Sequence, residues 1–151
     1  LAPEQGRLHG GLVGEGAWLE DASGRTPIRT RARGTELVAV ASKSHFTQNT
    51  ADYLDALQPG AGHVAVGSSL KFCILAEGRA DIYPRLSPTS EWDTAAGHAV
   101  LLAAGGRCDA PDGGPLRYGK PAFVNRGFIA TAGWEAPPCE PFLELFAGAN
   151  Q

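Results

Sequence analysis

The sequence contains no methionine and only three cysteines among 151 residues. Cys73, Cys108 and Cys139 stand far apart, with no Cys-x-x-Cys pair and no zinc-finger spacing among Cys and His. An odd number of widely spaced thiols is expected to mean free, small packing residues in the reducing cytoplasm. Charge is also sparse, at 19%, and neither sign dominates: 13 basic and 16 acidic residues leave a net charge of −3. That excludes the general basic surface by which proteins hold nucleic acid, although a local phosphate pocket needs only a few cations. No apolar run approaches the ~20 residues of a membrane-spanning helix, and no basic-then-apolar leader pattern is present. Internal repeats and low-complexity stretches are absent as well. A chain that opens Leu1-Ala2-Pro3 without Met is expected to be a processed product or a piece of a longer protein.

Glycine and proline are abundant, at 20 and 11 residues. Together they make about a fifth of the chain, against roughly 12% in ordinary proteins. They are scattered rather than periodic, which fits many turns between short elements. With 43% hydrophobic residues, the chain is too apolar for disorder. Its length suits one domain over residues 1–151, burying roughly two thirds of the unfolded surface.

Loose alternation over 8–20 predicts two strands and a turn, and residues 26–30 a further strand. The apolar run 36–42 predicts a buried strand. Ala51, Leu54 and Leu57 recur at helical spacing over 49–57, with N-cap candidates between Thr47 and Thr50 and a stop at Pro59-Gly60. Strands are expected at 63–67 and 80–85, flanking a buried helix over 69–78 that ends at Gly78. The clearest helix runs from Ser90 to Ala104, with Ala95, Ala99, Leu102 and Ala103 on one face and Gly105-Gly106 as its stop. Short strands are expected near 107–109, 116–118 and 127–132, with a final helical turn at 141–146. Alternating strands and helices give an α/β class.

Three constellations could carry chemistry. Gly67-Ser68-Ser69-Leu70-Lys71 lies at a strand-to-helix junction, where free backbone N–H groups attract anions and small residues allow close approach. Lys71 falls in the first helical turn, where a cation opposes the helix dipole unless an anion is present. The stretch reads equally as an ordinary Ser cap followed by a surface Lys. Glu91-Trp92-Asp93 opens the clear helix. Asp93 could hold a hard cation such as Mg²⁺, or it could complete a Ser90-x-x-Asp93 capping box, with Trp92 read as a core residue. Ser42-Lys43-Ser44-His45 follows a strand and could receive a phosphate ester, or be a polar loop with an exposed His. Arg85, after Tyr83-Pro84, is a further candidate phosphate fork. No Gly-x-Ser-x-Gly elbow or P-loop is present, which argues against a serine hydrolase or P-loop nucleotide site.

Taken in order, Ser-Lys-Ser-His (42–45), the stretch from Gly67 through Tyr83-Pro84-Arg85, and Glu-Trp-Asp-Thr-Ala-Ala-Gly-His-Ala-Val (91–100) resemble the C-terminal half of the CysQ-type 3'(2'),5'-bisphosphate nucleotidases. These enzymes belong to the inositol monophosphatase superfamily of metal-dependent phosphatases. The resemblance spans about residues 1–132. It implies the C-terminal part of a layered αβαβα sandwich, and an intact enzyme that removes the 3'-phosphate of 3'-phosphoadenosine 5'-phosphate to leave AMP, and acts on its sulfated relative. It implies that Asp93 is the C-terminal metal-binding aspartate, catalytic and close to the substrate phosphate, with Mg²⁺ as cofactor. It implies that His45, Ser68, Lys71 and Arg85 contact the nucleotide.

The departure from the family pattern is as informative. The family's metal site also takes an N-terminal Glu and an Asp-Pro-x-Asp-Gly-Thr loop, and neither occurs here. The lone Asp-Gly, Asp112-Gly113, reads as a hairpin turn. The expectation is a half-enzyme without appreciable phosphatase activity of its own. It would have a small-molecule substrate, an adenosine bisphosphate nucleotide, with no nucleic-acid partner and no membrane span. A separate N-terminal half, or a second copy, would cover an open apolar face. The alternatives are a sister phosphatase of inositol or sugar phosphates, and a non-catalytic nucleotide-binding or assembly half.

Overall fold

The computed structural model describes residues 5–67 and 69–144. The chain opens with a three-stranded antiparallel meander: β1 (Leu8–Leu12), β2 (Gly16–Asp21) and β3 (Gly24–Ile28). A second, five-stranded sheet follows. It is built from β4 (Ala39–Ser42), β5 (His63–Val66), β6 (Ile82–Arg85), β8 (Arg107–Asp109) and β10 (Phe128–Thr131), in the order β5-β4-β6-β10-β8. β4 runs parallel to β5 and β6, and β10 antiparallel to β6 and β8. A two-residue pair joins β7 (Thr89–Ser90) to β9 (Val124–Asn125). Among the described residues, four α-helices complete the fold: α1 (Gln48–Leu57), α2 (Leu70–Ala76), α3 (Ala95–Ala103) and α4 (Glu140–Glu144).

Alternation along the strands divides the core in two. Val40, Tyr83, Phe128 and Ala130 face α2 and α3, joining Phe72, Leu75 and Leu101. Ala39, Ile82 and Ile129 face the opposite side, joining Tyr53 and Leu54 of α1. On the first face the Phe72, Tyr83 and Phe128 rings meet pairwise at centroid distances of 5.1–5.5 Å. α3 also packs on β1 and β2. The layers therefore run sheet, helix pair, sheet, helix pair, the α/β layering expected from the sequence.

Glycines set the spacing of these layers. A Cβ on Gly97 would lie 2.7 Å from Phe72 Cδ2, and one on Gly11 would lie 2.6 Å from Ala103 Cβ. Ion pairs tie the same layers together: Glu77, at the end of α2, takes Arg7 at 2.8 Å and His9 of β1 at 2.7 Å. Asp81, fully enclosed, accepts Arg31 Nε and Nη2 at 2.9 and 2.8 Å and the Val38 amide at 2.7 Å.

Four local expectations change. The helix from Ser90 to Ala104 is two pieces, a 3-10 turn over Glu91–Asp93 and then α3, divided at Thr94. Its Ala95, Ala99 and Leu102 face outward, while Gly97, His98 and Leu101 are buried, because the missing Cβ at 97 lets that face approach Phe72. No strand forms over 116–118. Asp109 and Pro115 make a single bridge around a turn at Asp112-Gly113, where Gly113 has φ +88°. Trp92 is 70% exposed rather than in the core. The helix at 141–146 is observed as α4, and residues 145–146 lie outside the described residues. Elsewhere the expected elements appear, including the Thr47 cap of α1, whose side chain accepts the Thr50 amide. All three cysteines are free thiols.

Candidate active site

β4 lies between β5 and β6 and runs parallel to both, so their carboxyl ends open on one edge of the sheet, the usual ligand position in α/β sheets. A cavity of about 620 Å³ lies there. Ser42, Ser44 and His45 line it from the end of β4, Gly67 and Ser69 from the turn after β5, and Lys71 from α2. Tyr83 and Arg85 enter from β6, and Thr89, Ser90, Trp92 and Asp93 from the turn that precedes α3. Four of the five sequence-nominated residues, His45, Lys71, Arg85 and Asp93, thus share one cavity although 48 positions separate the first from the last. The fifth, Ser68, lies outside the described residues. Lys43, the amine of the first cluster, is exposed and takes no part in the lining.

Lys71 is 2% exposed. Its ammonium donates to the Val66 carbonyl at 3.1 Å and lies 4.9 Å from the Tyr83 ring centroid. Burial, with a smaller contribution from Arg85, lowers it from 10.5 to about 8. Burial likewise pushes the Tyr83 phenol up to about 12, keeping it protonated. Arg85 is held by the Ser87 and Pro88 carbonyls at 3.4 and 3.0 Å. His45 Nδ1 sits 2.9 Å from Ser44 Oγ and 3.4 Å from Ser42 Oγ, and its amide donates to Ser42 Oγ at 3.2 Å. Two cations, an imidazole and several hydroxyls thus converge on one opening, which suits an anion.

Asp93 has both features weighed from the sequence. It completes the capping box, Oδ2 accepting the Ser90 amide at 3.4 Å and Thr89 Oγ1 at 3.3 Å, and it also faces the cavity. Glu91, two residues earlier, is committed elsewhere. It accepts the Gly119 and Lys120 amides at 2.8 and 3.1 Å and pairs with the Lys120 ammonium at 2.6 Å. The Lys120 bond in particular holds the Glu91 carboxyl below its usual range. Behind the turn, Thr94 Oγ1 accepts from Asn125 and Tyr118 and donates to the Glu91 carbonyl.

Among the described residues, Asp93 is the one acid lining the cavity. Among the described residues no three His, Cys, Asp or Glu side chains cluster as metal ligands. A hard divalent cation takes six or more oxygens and is held tightly only by several anionic ones. The residues present therefore do not by themselves fit a Mg²⁺ site. Sequence reasoning missed Tyr83, Thr89 and Val124 as lining residues, and misplaced Trp92. The alternation in Ile82-Tyr83-Pro84-Arg85, which puts Tyr83 and Arg85 on one side, was the available signal for Tyr83.

The profile of the inositol monophosphatase family matches residues 1–139, and the chain belongs to that family. Curated relatives include the 3'(2'),5'-bisphosphate nucleotidase CysQ of Escherichia coli, 41% identical over 128 residues, covering 84% of this chain and 51% of that protein. The nucleotidase of the same name from Salmonella typhimurium is 43% identical over 116 residues, covering 76% of this chain and 46% of that one. Among solved structures, CysQ from Bacteroides thetaiotaomicron superposes with a TM-score of 0.77 at 35% identity, over 88% of this chain and 56% of that one. The chain spans about half the length of the curated relatives it matches.

Proposed function

We propose that this chain forms the phosphate- and nucleotide-recognising part of a 3'(2'),5'-bisphosphate nucleotidase, an Mg²⁺-dependent phosphatase that converts 3'-phosphoadenosine 5'-phosphate to AMP and phosphate in the cytoplasm. The convergence of Lys71, Arg85, His45 and Asp93 on one cavity at the carboxyl ends of three parallel strands carries the reading. The relatives named above support the substrate. Lys71 and Arg85 neutralise phosphate oxygens, Arg85 through its planar fork and Lys71 as a buried point charge. His45 and Ser68 orient the nucleotide. Asp93 contributes one carboxylate to the metal site, and the remaining acids come from outside residues 1–151, on a separate N-terminal half or an upstream segment. Arg85 and Lys71 also remain near the phosphate as its charge redistributes, so they stabilise the developing anion without rearrangement.

Isothermal titration of the chain with 3'-phosphoadenosine 5'-phosphate and with inositol 1-phosphate, each with and without Mg²⁺, tests this. The nucleotide should bind more tightly, and Lys71→Ala should weaken it by tenfold or more, about the 1.5–3 kcal/mol of a hydrogen bond to a charged group. Equal or tighter binding of inositol 1-phosphate would overturn the nucleotide reading in favour of a sister phosphatase. Phosphate release by the chain alone should stay near background. Turnover matching an intact relative would show that Asp93 needs no further acids.

A further inference from the structure

One end of the cavity is not explained by phosphate binding. Trp92 lines it and is 70% exposed, an unusual state for the largest apolar side chain. Phe123 stands beside it, 54% exposed, with ring centroids 6.3 Å apart and planes tilted by 47°. Val124, next in the chain, also lines the cavity and is 41% exposed. The tilt leaves the ring faces open rather than consumed by mutual stacking.

The backbone that presents Phe123 is strained. Ala122 and Phe123 have φ of +60° and +53°, two successive non-glycine residues in the left-handed region. Such conformations persist only where the surroundings impose them. Here the surroundings are specific. Glu91 grips the Gly119 and Lys120 amides, Phe123 donates its amide to the Lys120 carbonyl at 3.0 Å, and Val124 pairs with Ser90 across β7–β9. The Glu91 and Ser90 contacts tie the loop to the turn that carries Trp92 and Asp93, while the Phe123–Lys120 bond closes the loop on itself, so the two rings are held in fixed register.

We infer that Trp92 and Phe123 form an aromatic lip on which the base of a phosphorylated nucleoside stacks while Lys71 and Arg85 hold its phosphates. The assignment rests on the nucleotide reading given above and adds the residues that select a base. The cavity is lined by the cations Lys71 and Arg85 and by the exposed ring of Trp92, with Phe123 beside that ring. A nucleotide has the same two-ended character, a phosphate and a π-faced ring. An inositol phosphate has only the first, since its polyol ring seeks hydrogen bonds. Aromatic stacking recognises any base by its face and needs no hydrogen-bond code.

The test compares AMP with ribose 5-phosphate, which differ by the base, in titrations of the unsubstituted chain and of Trp92→Leu, Phe123→Ala and Phe123→Leu. The unsubstituted chain should prefer AMP, and its tryptophan fluorescence should be quenched on AMP addition. Trp92→Leu and Phe123→Ala should each shrink the AMP preference by about tenfold, the scale of one base–aromatic stack, and Trp92→Leu should abolish the quenching. Phe123→Leu keeps an apolar side chain on the strained loop and separates loss of stacking from loss of the loop. An AMP preference unchanged in all three variants overturns the lip while leaving the nucleotide reading intact. Failure of the chain to prefer 3'-phosphoadenosine 5'-phosphate over inositol 1-phosphate overturns both. A change in association state with no change in AMP preference would assign the two rings to an interface between copies and also overturn the lip.

Discussion

Replacing Lys71 by Met should make the protein more stable while weakening its hold on phosphate. Lys71 is 2% exposed, and burial brings its ammonium down from 10.5 to about 8. Holding the amine charged at pH 7 therefore costs about 3 kcal/mol, at about 1.4 kcal/mol per tenfold change in proton affinity. Met keeps most of the apolar stem but leaves the Val66 carbonyl without its 3.1 Å donor and removes the Tyr83 ring contact. Those losses offset about 1–2 kcal/mol, so a net gain of at most about 1–2 kcal/mol is expected at pH 7. The pH dependence separates this from a packing effect. Between about 8 and the unfolded value near 10.4, the unfolded chain binds more protons than the folded one, so the parent protein gains stability as pH rises. Met does not titrate, and the advantage of the variant should shrink across that window and be gone above it. Urea midpoints for both proteins at pH 7 and pH 10.5, at constant m, measure it. A variant less stable than the parent by more than about 1 kcal/mol at pH 7, or a difference that does not change with pH, would rule out a burial cost at Lys71.

Asp81→Ala should cost about 1–3 kcal/mol in urea unfolding, because it leaves the enclosed Val38 amide unpaired and removes the partner of the Arg31 fork. A loss under about 1 kcal/mol would remove Asp81 from its structural role. Burial raises the Asp81 carboxyl, but Arg31, the Val38 amide and Arg33 pull it below its usual value. Its contribution is therefore present above about pH 4 and lost as pH falls through the depressed folded value, so the gap between parent and Asp81→Ala should narrow in acid. Gly97→Ala should destabilise by about 1–3 kcal/mol, since its new methyl would lie 2.7 Å from Phe72 Cδ2. Wild-type stability in that variant would mean that α2 and α3 separate freely.

Much of the element order was legible because local rules agree with the tertiary structure. Ala51, Leu54 and Leu57 gave α1, and the Thr47 hydroxyl caps it as its position implied. Gly78, with φ of +71°, ends α2 where a left-handed residue was needed. Motif order, rather than any local rule, supplied His45, Lys71, Arg85 and Asp93 as candidates. The misreadings share a cause. Counting apolar residues chose Ala95, Ala99 and Leu102 as the packed face of α3, but contact distance chose Gly97 and His98. Counting size placed Trp92 in the core, but the break at Thr94 turned it outward.

Local spacing set the strand and helix alternation and the caps and stops, because each depends on neighbours within a few residues, and the order of motifs along the whole chain marked the family. Packing between distant segments put residues from 42 to 124 around one cavity, buried Lys71 enough to soften its charge, and spent Glu91 on a loop while leaving Asp93 open. Those properties depend on which strand ends are parallel neighbours and on how near two backbones can come, distances that no stretch of sequence encodes alone.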